Sequence, residues 1–488
     1  MHPSVRAAPN YRLFYFTCAK SFSVLLRFFR INDPYRLLGI LVVLVLIAVP
    51  LFIQPVRITL EELKMFVLGE VLNEGNRLYT DAITTAPPLT AWIAGWVEML
   101  FGRSVGATRA LGGMVIFFQL AFFTIVLINS RAHTENTYLP GLVFGVLALF
   151  SFDMISLSSE LLASTMLLFV LNNLFKEIEF RVQRDSIVLN IGVFVGLASL
   201  LVFSYVLFLP GALAILAIFT RLTVRKALLV IVGFLLVHGL LMLVYFMKGN
   251  FTALYQNFYL ANLNVHEESS MPTSSTLVLC MAPVLFFLFS MFMLGREARL
   301  TKYQSQLSQV MFLWILVAAI EVMVFSRNVT PAQLIIFVPP LSYFISHYVL
   351  LIRRKKMAEF TIWAFIISIT TIMYLARYNK MASVKYEALF PKQTTYNKIA
   401  RKSVAILGTD WGLFQNNKMA TGFYDWKLAK SIFVQLEFFD HVVLIDKSFD
   451  DPPDVIVDEQ DLMKEVFERI PKLRTQYTRE GNLYLRKE

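Results

Sequence analysis

The chain has 488 residues, of which 57% are hydrophobic and 16% charged, and its mean hydropathy is +0.61. No soluble domain of this size holds that balance, so the sequence reads as a polytopic membrane protein. A formal net charge of +11 would suggest nucleic acid in a soluble protein. Here the cations concentrate in short loops between apolar runs, as cytoplasmic loops do, and no nucleic-acid partner is expected.

The first 35 residues read as a cytoplasmic segment. Within it, 11–30 (YRLFYFTCAKSFSVLLRFFR) has the pattern of a basic amphipathic helix lying on the inner leaflet. The first long apolar run starts near residue 38 and has no small-residue cleavage site behind it, so it is not a removable signal. Cys18 and Cys280 fall in different environments and predict no structural disulfide.

Apolar runs near 37–54, 108–128, 138–154, 160–175, 187–204, 206–220, 227–247, 275–294, 309–326, 331–351 and 358–376 predict about eleven membrane helices, with ten to thirteen as bounds. The stretch 88–101 (PLTAWIAGWVEMLF) either crosses or lies along the interface. Basic residues decide. With the N-terminus cytoplasmic and 88–101 not crossing, the clusters KEIEFRVQR, RLTVRK, GREARLTK and RRKK all fall on the cytoplasmic side. A crossing helix there would put every one of them outside. The transmembrane domain then spans 36–376, with a first outer loop over 55–107.

This orientation places the unusual polar groups on one membrane face. The first loop carries Glu61, Glu62, Glu70, Glu74 and Asp81, and its Pro87-Pro88, Trp92 and Trp96 pin a helix in place. Glu70 and Glu74, an i, i+4 pair, fit a solvated helix face. Glu61, Glu62 and Asp81 bracket the pinned element, and a carboxylate held still is what general-base chemistry needs. Asp153 and Glu160 sit at the tip of the next outer hairpin, near the membrane boundary, where a carboxylate is costly unless paired or wetted. Loop 248–274 offers His266, Glu267 and Glu268 without a second His or Cys at ligand spacing. No metal or other cofactor is therefore expected; a divalent cation shared with acids of other loops is the lesser alternative. Glu321 lies inside a span and Arg327 at its outer end. Arg327 either snorkels or grips a phosphate at headgroup depth, with Glu321 as the partner that positions it.

The tail, 377–488, changes composition and predicts a small extracytoplasmic α/β domain. Its strand-like runs are 403–408, 441–445 and 454–458, with helical stretches such as DWKLAKSIFVQL and EQDLMKEVFERI between them.

Taken in order, Glu61-Glu62, Gly75, Tyr79-x-Asp81, Pro87-Pro88-Leu89, Trp92, Phe101-Gly102-x-Ser104 and Ala107-x-Arg109 resemble the membrane glycosyltransferases of GT-C type. The resemblance is to the bacterial branch of protein O-mannosyltransferases and lipid A aminoarabinose transferases. It implies a GT-C-like all-α membrane domain in the cytoplasmic membrane, with interfacial helices in the first outer loop. It also implies catalytic acids among Glu61, Glu62 and Asp81, supported by Tyr79, and a second acidic motif at Asp153 and Glu160. Arg327, ahead of Pro339-Pro340, corresponds to the residue that contacts the phosphate of the lipid carrier. The expected partners are a polyprenyl-phosphate-linked sugar, a lipid, glycan or protein acceptor, and membrane lipids. The expected activity is inverting sugar transfer with a carboxylate general base. The family usually opens with Asp-Glu, whereas Leu60 stands before Glu61-Glu62 here, so the alternative is a catalytically silent scaffold or partner subunit of an envelope complex. A transporter, which places charges at the bilayer midplane and often shows inverted repeats, fits this pattern poorly.

Overall fold

The computed structural model describes residues 24–53, 57–179, 184–264, 271–297, 300–326, 329–394, 396 and 399–487. Most of the predicted amphipathic segment 11–30 lies outside these residues; its last part forms α1 (Val24–Phe29). The chain continues as α2 (Arg36–Ile53), α3 (Leu60–Asn73), α4 (Pro88–Phe101), α5 (Val105–Asn129), α6 (Leu139–Leu147), α7 (Ser159–Ile178), α8 (Asp185–Ser199), α9 (Phe208–Phe219) and α10 (Val224–Met247). Short helical turns fill 251–264. They lead to α11 (Thr273–Leu279), α12 (Met281–Glu297), α13 (Lys302–Phe325), α14 (Val338–Leu351) and α15 (Lys355–Arg377).

Among the described residues, six helices are long and apolar enough to cross a membrane, or seven if α11 and α12, bent by 57° at their junction, count as one span. Three shorter apolar helices, Arg36–Pro50, Asp185–Ser199 and Phe203–Phe219, accompany them. The chain is a multi-pass membrane protein. One predicted span, 138–154, takes another form: α6 is nine residues long and buried along its whole length, and a 3₁₀ turn, Phe152–Ile155, follows it. It is packed against α2, α5 and α14. The 14-residue α4 leaves Trp92, Trp96, Met99, Leu100 and Phe101 exposed, an apolar face suited to the membrane interface.

Local sequence sets the helix starts. Thr59 and Glu62 form a capping box at the head of α3, the Thr hydroxyl accepting from the Glu62 amide and the Glu carboxylate from the Thr59 amide. Pro88 occupies the first position of α4, where its missing amide costs nothing. Ser104, Ser158 and Thr223 cap α5, α7 and α10 with their hydroxyls.

The tail is a separate α/β unit with helices α16 (Trp426–Val434), α17 (Phe439–Ser448), α18 (Met463–Arg469) and α19 (Pro471–Gln476). Its strands are β1 (Ser403–Leu407), β2 (Lys418–Met419), β3 (Val455–Asp458), β4 (Tyr477–Glu480) and β5 (Leu483–Arg486), in the order β2-β1-β3-β5-β4. β1 runs parallel to β2 and β3, with Ile406 opposite Val457, and β5 runs antiparallel to β3 and β4. The run 441–445, predicted as a strand, is part of α17. There Ile445 is buried and Val443 exposed, so the β-branched residues serve a helical face rather than a pleat. The sheet is completed instead by the terminal hairpin 477–486, which turns at Gly481 with φ of 64°.

The tail sits on the first loop. Ile83 donates its amide to the Gly422 carbonyl at 2.7 Å and accepts from the Asp425 amide at 2.9 Å, and its side chain enters the tail's core. A Cβ at Gly422 would lie 1.9 Å from the Asp81 carbonyl, so only glycine permits this approach.

Candidate functional site

Three elements bring carboxylates together at one end of the helical bundle: the head of α3, the turn before α7, and α13. The capping box turns Glu62 inward, where Arg109 of α5 meets it with two bonds, Nε to Oε1 and Nη2 to Oε2, each 2.8 Å. The Thr59 amide adds a third bond at 2.9 Å, and both charged side chains are buried. A bidentate pair of this geometry recovers its desolvation cost only because its remaining valences are also filled: the same Arg109 Nη2 reaches the Arg57 carbonyl at 3.2 Å. Glu62 is thereby fully engaged.

Arg109 also lies over the Phe152 ring, 5.5 Å from its centroid, and Arg377, the last residue of α15, lies 4.7 Å from the same centroid. One aromatic ring thus has two guanidinium groups near it, a geometry that holds cations without neutralising them. Among the described residues Arg377 forms no ion pair.

Asp153 follows Phe152. The 3₁₀ turn that carries both is pressed onto α5, where Leu157 donates to the Thr108 carbonyl at 3.2 Å. A Cβ on Gly112 would stand 2.1 Å from the Ile155 carbonyl, so the turn reaches this depth only over a glycine. Asp153 is half-buried and accepts from the Ser151 hydroxyl. Burial first, and then the charges of Glu62 and Glu160, raise its carboxyl to about 6 against the lowering effect of hydrogen bonds. The Tyr386 ring lies against Phe152 with centroids 5.0 Å apart and planes tilted by 50°; burial and then the charge of Asp153 push its phenol well above the usual range.

Glu160, half-buried in the first turn of α7, accepts from the Ser159 hydroxyl at 3.2 Å and lies within electrostatic reach of Glu61 and Asp153. The helix N-terminus favours its charge. Glu321, buried in α13, accepts from Ser204 at 2.5 Å and lies within electrostatic reach of Glu160. Glu61 points outward and is paired with Lys64 at 2.8 Å.

The sequence-predicted residues therefore divide. Glu61, Glu62, Asp153, Glu160 and Glu321 share one electrostatic neighbourhood. Asp81 does not contribute to it: its carboxylate accepts from Lys447 of α17 at 2.7 Å and from the Arg77 amide at 3.2 Å, at the seam between loop and tail. Tyr79 is buried in an aromatic cluster with Tyr245 and Phe258, and its hydroxyl donates to the Ala86 carbonyl at 2.7 Å. Its φ of 71°, strained for a bulky residue, is fixed by these contacts and by Asn257, which donates to its carbonyl at 2.8 Å. Tyr79 shapes the connector rather than the cluster. Arg327, His266 and Glu267 lie outside the described residues.

Sequence reasoning did not identify Arg377 or Tyr386, nor the pairing of Arg109 with Glu62. For Arg377 a signal existed: it is an arginine at the end of the last predicted span, beside the segment that leads into the tail. Among the described residues, no group of three or more His, Cys, Asp or Glu is placed to hold a metal ion.

No protein-family model matches the chain, and no curated protein matches it. Similar solved structures include ArnT from Cupriavidus metallidurans bound to undecaprenyl phosphate, at 12% identity and a TM-score of 0.47, covering 89% of this chain and 88% of that one. The Archaeoglobus fulgidus oligosaccharyltransferase in its apo form follows at 11% identity and 0.47, covering 86% and 69%. The archaeal oligosaccharyltransferase AglB from Archaeoglobus fulgidus, in complex with an inhibitory peptide and a dolichol-phosphate, shows 11% identity and 0.44, covering 93% and 74%. At this distance the similarities place the chain in no family.

Proposed function

We propose that the protein transfers a sugar from a polyprenyl-phosphate carrier to an acceptor hydroxyl at the outer face of the cytoplasmic membrane. The observation that carries this reading is the cluster itself. Half-buried Asp153 and Glu160 are held by hydroxyls, while Arg109 and Arg377 stand over the adjoining Phe152 ring. The order of motifs from Glu61 to Arg109, which resembles GT-C transferases, supports the same reading.

In this reaction Asp153 takes the proton of the acceptor hydroxyl. The freed oxygen forms a bond to the anomeric carbon as the bond from that carbon to the lipid phosphate breaks, which inverts the centre. The departing phosphate carries the larger developing charge, and Arg377, with Arg327, is the group that receives it. Glu62 acts through Arg109, fixing where that guanidinium stands. Glu61 and Glu160 keep the acceptor side polar and anionic.

The test is donor turnover by the purified protein in nanodiscs, with synthetic polyprenyl-phosphate sugars and extracted envelope lipid as acceptor. Asp153→Asn is expected to abolish release of polyprenyl phosphate, and Arg377→Gln to raise KM for the donor. Full turnover in Asp153→Asn would overturn the assignment of the base.

One observation favours a second reading. The first-loop acid Glu62 is saturated by Arg109, and Leu60 stands where the family usually has Asp. A silent scaffold needs this fold without its chemistry. Absence of turnover with every donor, together with loss of an envelope complex on disrupting the tail, would support it.

A further inference from the structure

A cavity of about 610 Å³ opens between α3, α4 and the outer end of α10, away from the acidic cluster. Its walls divide by height. Leu72 and Val244 give it apolar sides, continuous with surfaces that point away from the bundle: Phe246 and Met247 at the end of α10, and Met99 and Leu100 on α4, are all strongly exposed. Trp92 and Trp96, one turn apart on α4, line it with 43% and 67% of their surface exposed. Where the helices end, Arg77 and Lys248 face the same space, one from the connector after α3 and the other from the cap of α10. Among the described residues neither of these cations forms a side-chain ion pair. Two carboxylates adjoin the site: Glu98 accepts from the lining Asn73 at 2.5 Å, and Asp81, already paired with Lys447, accepts from the amide of the lining Arg77 at 3.2 Å.

We propose that this cavity binds the phosphate headgroup of an anionic membrane lipid, with its acyl chains along Leu72, Val244 and the tryptophans. The occupant is set by the arrangement. Apolar walls open on the lipid-facing surfaces of α4 and α10, amphipathic indole rings stand at the boundary, and two unneutralised cations from different elements converge above them. A soluble anion would use the cations and leave the apolar half uncovered; a neutral lipid would leave the cations unmatched. Interfacial cations attract anionic lipid, and two acting together give selectivity for it. This site is independent of the sugar-transfer reading and is tested without turnover.

The experiment uses the full chain in detergent and follows tryptophan fluorescence as brominated lipids are added. Brominated phosphatidylglycerol is expected to quench at concentrations at least tenfold lower than brominated phosphatidylcholine. Trp92→Phe with Trp96→Phe should remove that selective component, which assigns it to the cavity among the six tryptophans. Arg77→Gln with Lys248→Gln, both exposed and so expected to fold normally by melting temperature, should bring phosphatidylglycerol to the phosphatidylcholine level. Equal quenching by the two lipids, or selectivity that survives the double glutamine variant, would overturn the proposal. Displacement of the lipid by millimolar inorganic phosphate would assign the site to a free anion and overturn it as well.

Discussion

Two regions on the same side of the molecule are rich in carboxylates and treat them in opposite ways. At the seam between first loop and tail, three acids each have a cation: Glu70 takes Arg103 at 2.6 Å, Glu74 takes Lys418, and Asp81 takes Lys447 at 2.7 Å. In the cluster around Phe152, Asp153, Glu160 and Glu321 form no ion pair among the described residues and accept from the hydroxyls of Ser151, Ser159 and Ser204. Of the described cations nearby, Arg109 is committed to Glu62, an acid that is already saturated, and Arg377 stands over an aromatic ring. Matched charge holds two parts of a chain together. Charge left with hydroxyls at a half-buried site is costly, and that cost is accepted where a substrate supplies the missing counterpart.

The contrast breaks hardest at Arg109. Arg109→Ala leaves Glu62 buried without its cation and is expected to cost about 3–5 kcal/mol, enough to prevent recovery of folded protein from detergent. Arg109→Lys, with one charge but no fork, should lower the melting temperature by less and still lose the bidentate geometry. A wild-type melting temperature in Arg109→Ala would show that the pair is not structural.

Asp153 is expected to behave in the reverse way. Asp153→Asn removes a carboxylate that burial disfavours, so the melting temperature should hold or rise while turnover falls by about 10²–10⁴. The pH dependence sharpens this. A base raised to about 6 is protonated below that value, so kcat/KM should climb through pH 6 and then level off. Stability runs the other way. A raised acid contributes its share below the ordinary carboxylate range and loses it as pH rises through about 6, so the wild type should lose stability relative to Asp153→Asn across that interval. Parallel stability curves would remove Asp153 from the site.

Much of the frame was legible. Pro88 marked the start of α4, whose tryptophans are exposed, and Gly75 follows the end of α3, where its φ is 94°. Glu61, Glu62, Asp153 and Glu160 were expected on one face together with Asp81, and Glu321 inside a span; Asp81 is the one of these that stands apart. What could not be read was which acid would be matched. Glu62 and Arg109 are 47 residues apart, and nothing in either segment says that one guanidinium turns toward that carboxylate. Asp81 looked like its neighbours because its partner, Lys447, lies 366 positions away in a domain whose docking is set by tertiary packing. The tail was misread in one run for a related reason: His441 to Ile445 is β-branched enough for a strand, and its packing against α16, with Ile445 in the tail's core, goes with the helix.

The smallest expected effect is at the seam, and it tests the comparison from its structural side. Lys447 is 61% exposed and Asp81 19%, so their ion pair is screened and should contribute no more than about 1 kcal/mol. Lys447→Ala and Asp81→Asn should each shift the melting temperature slightly, and the double variant no further than the larger single one, because they remove the same contact. Turnover should stay within about twofold, since the tail is held in addition by the Ile83 backbone bonds and by Tyr424, whose hydroxyl donates to the Lys64 carbonyl at 3.0 Å. A large loss of turnover in Asp81→Asn with unchanged turnover in Lys447→Ala would mean that the carboxylate acts apart from its cation, and the division between matched and unmatched acids would fail at the residue where it is most exposed to test.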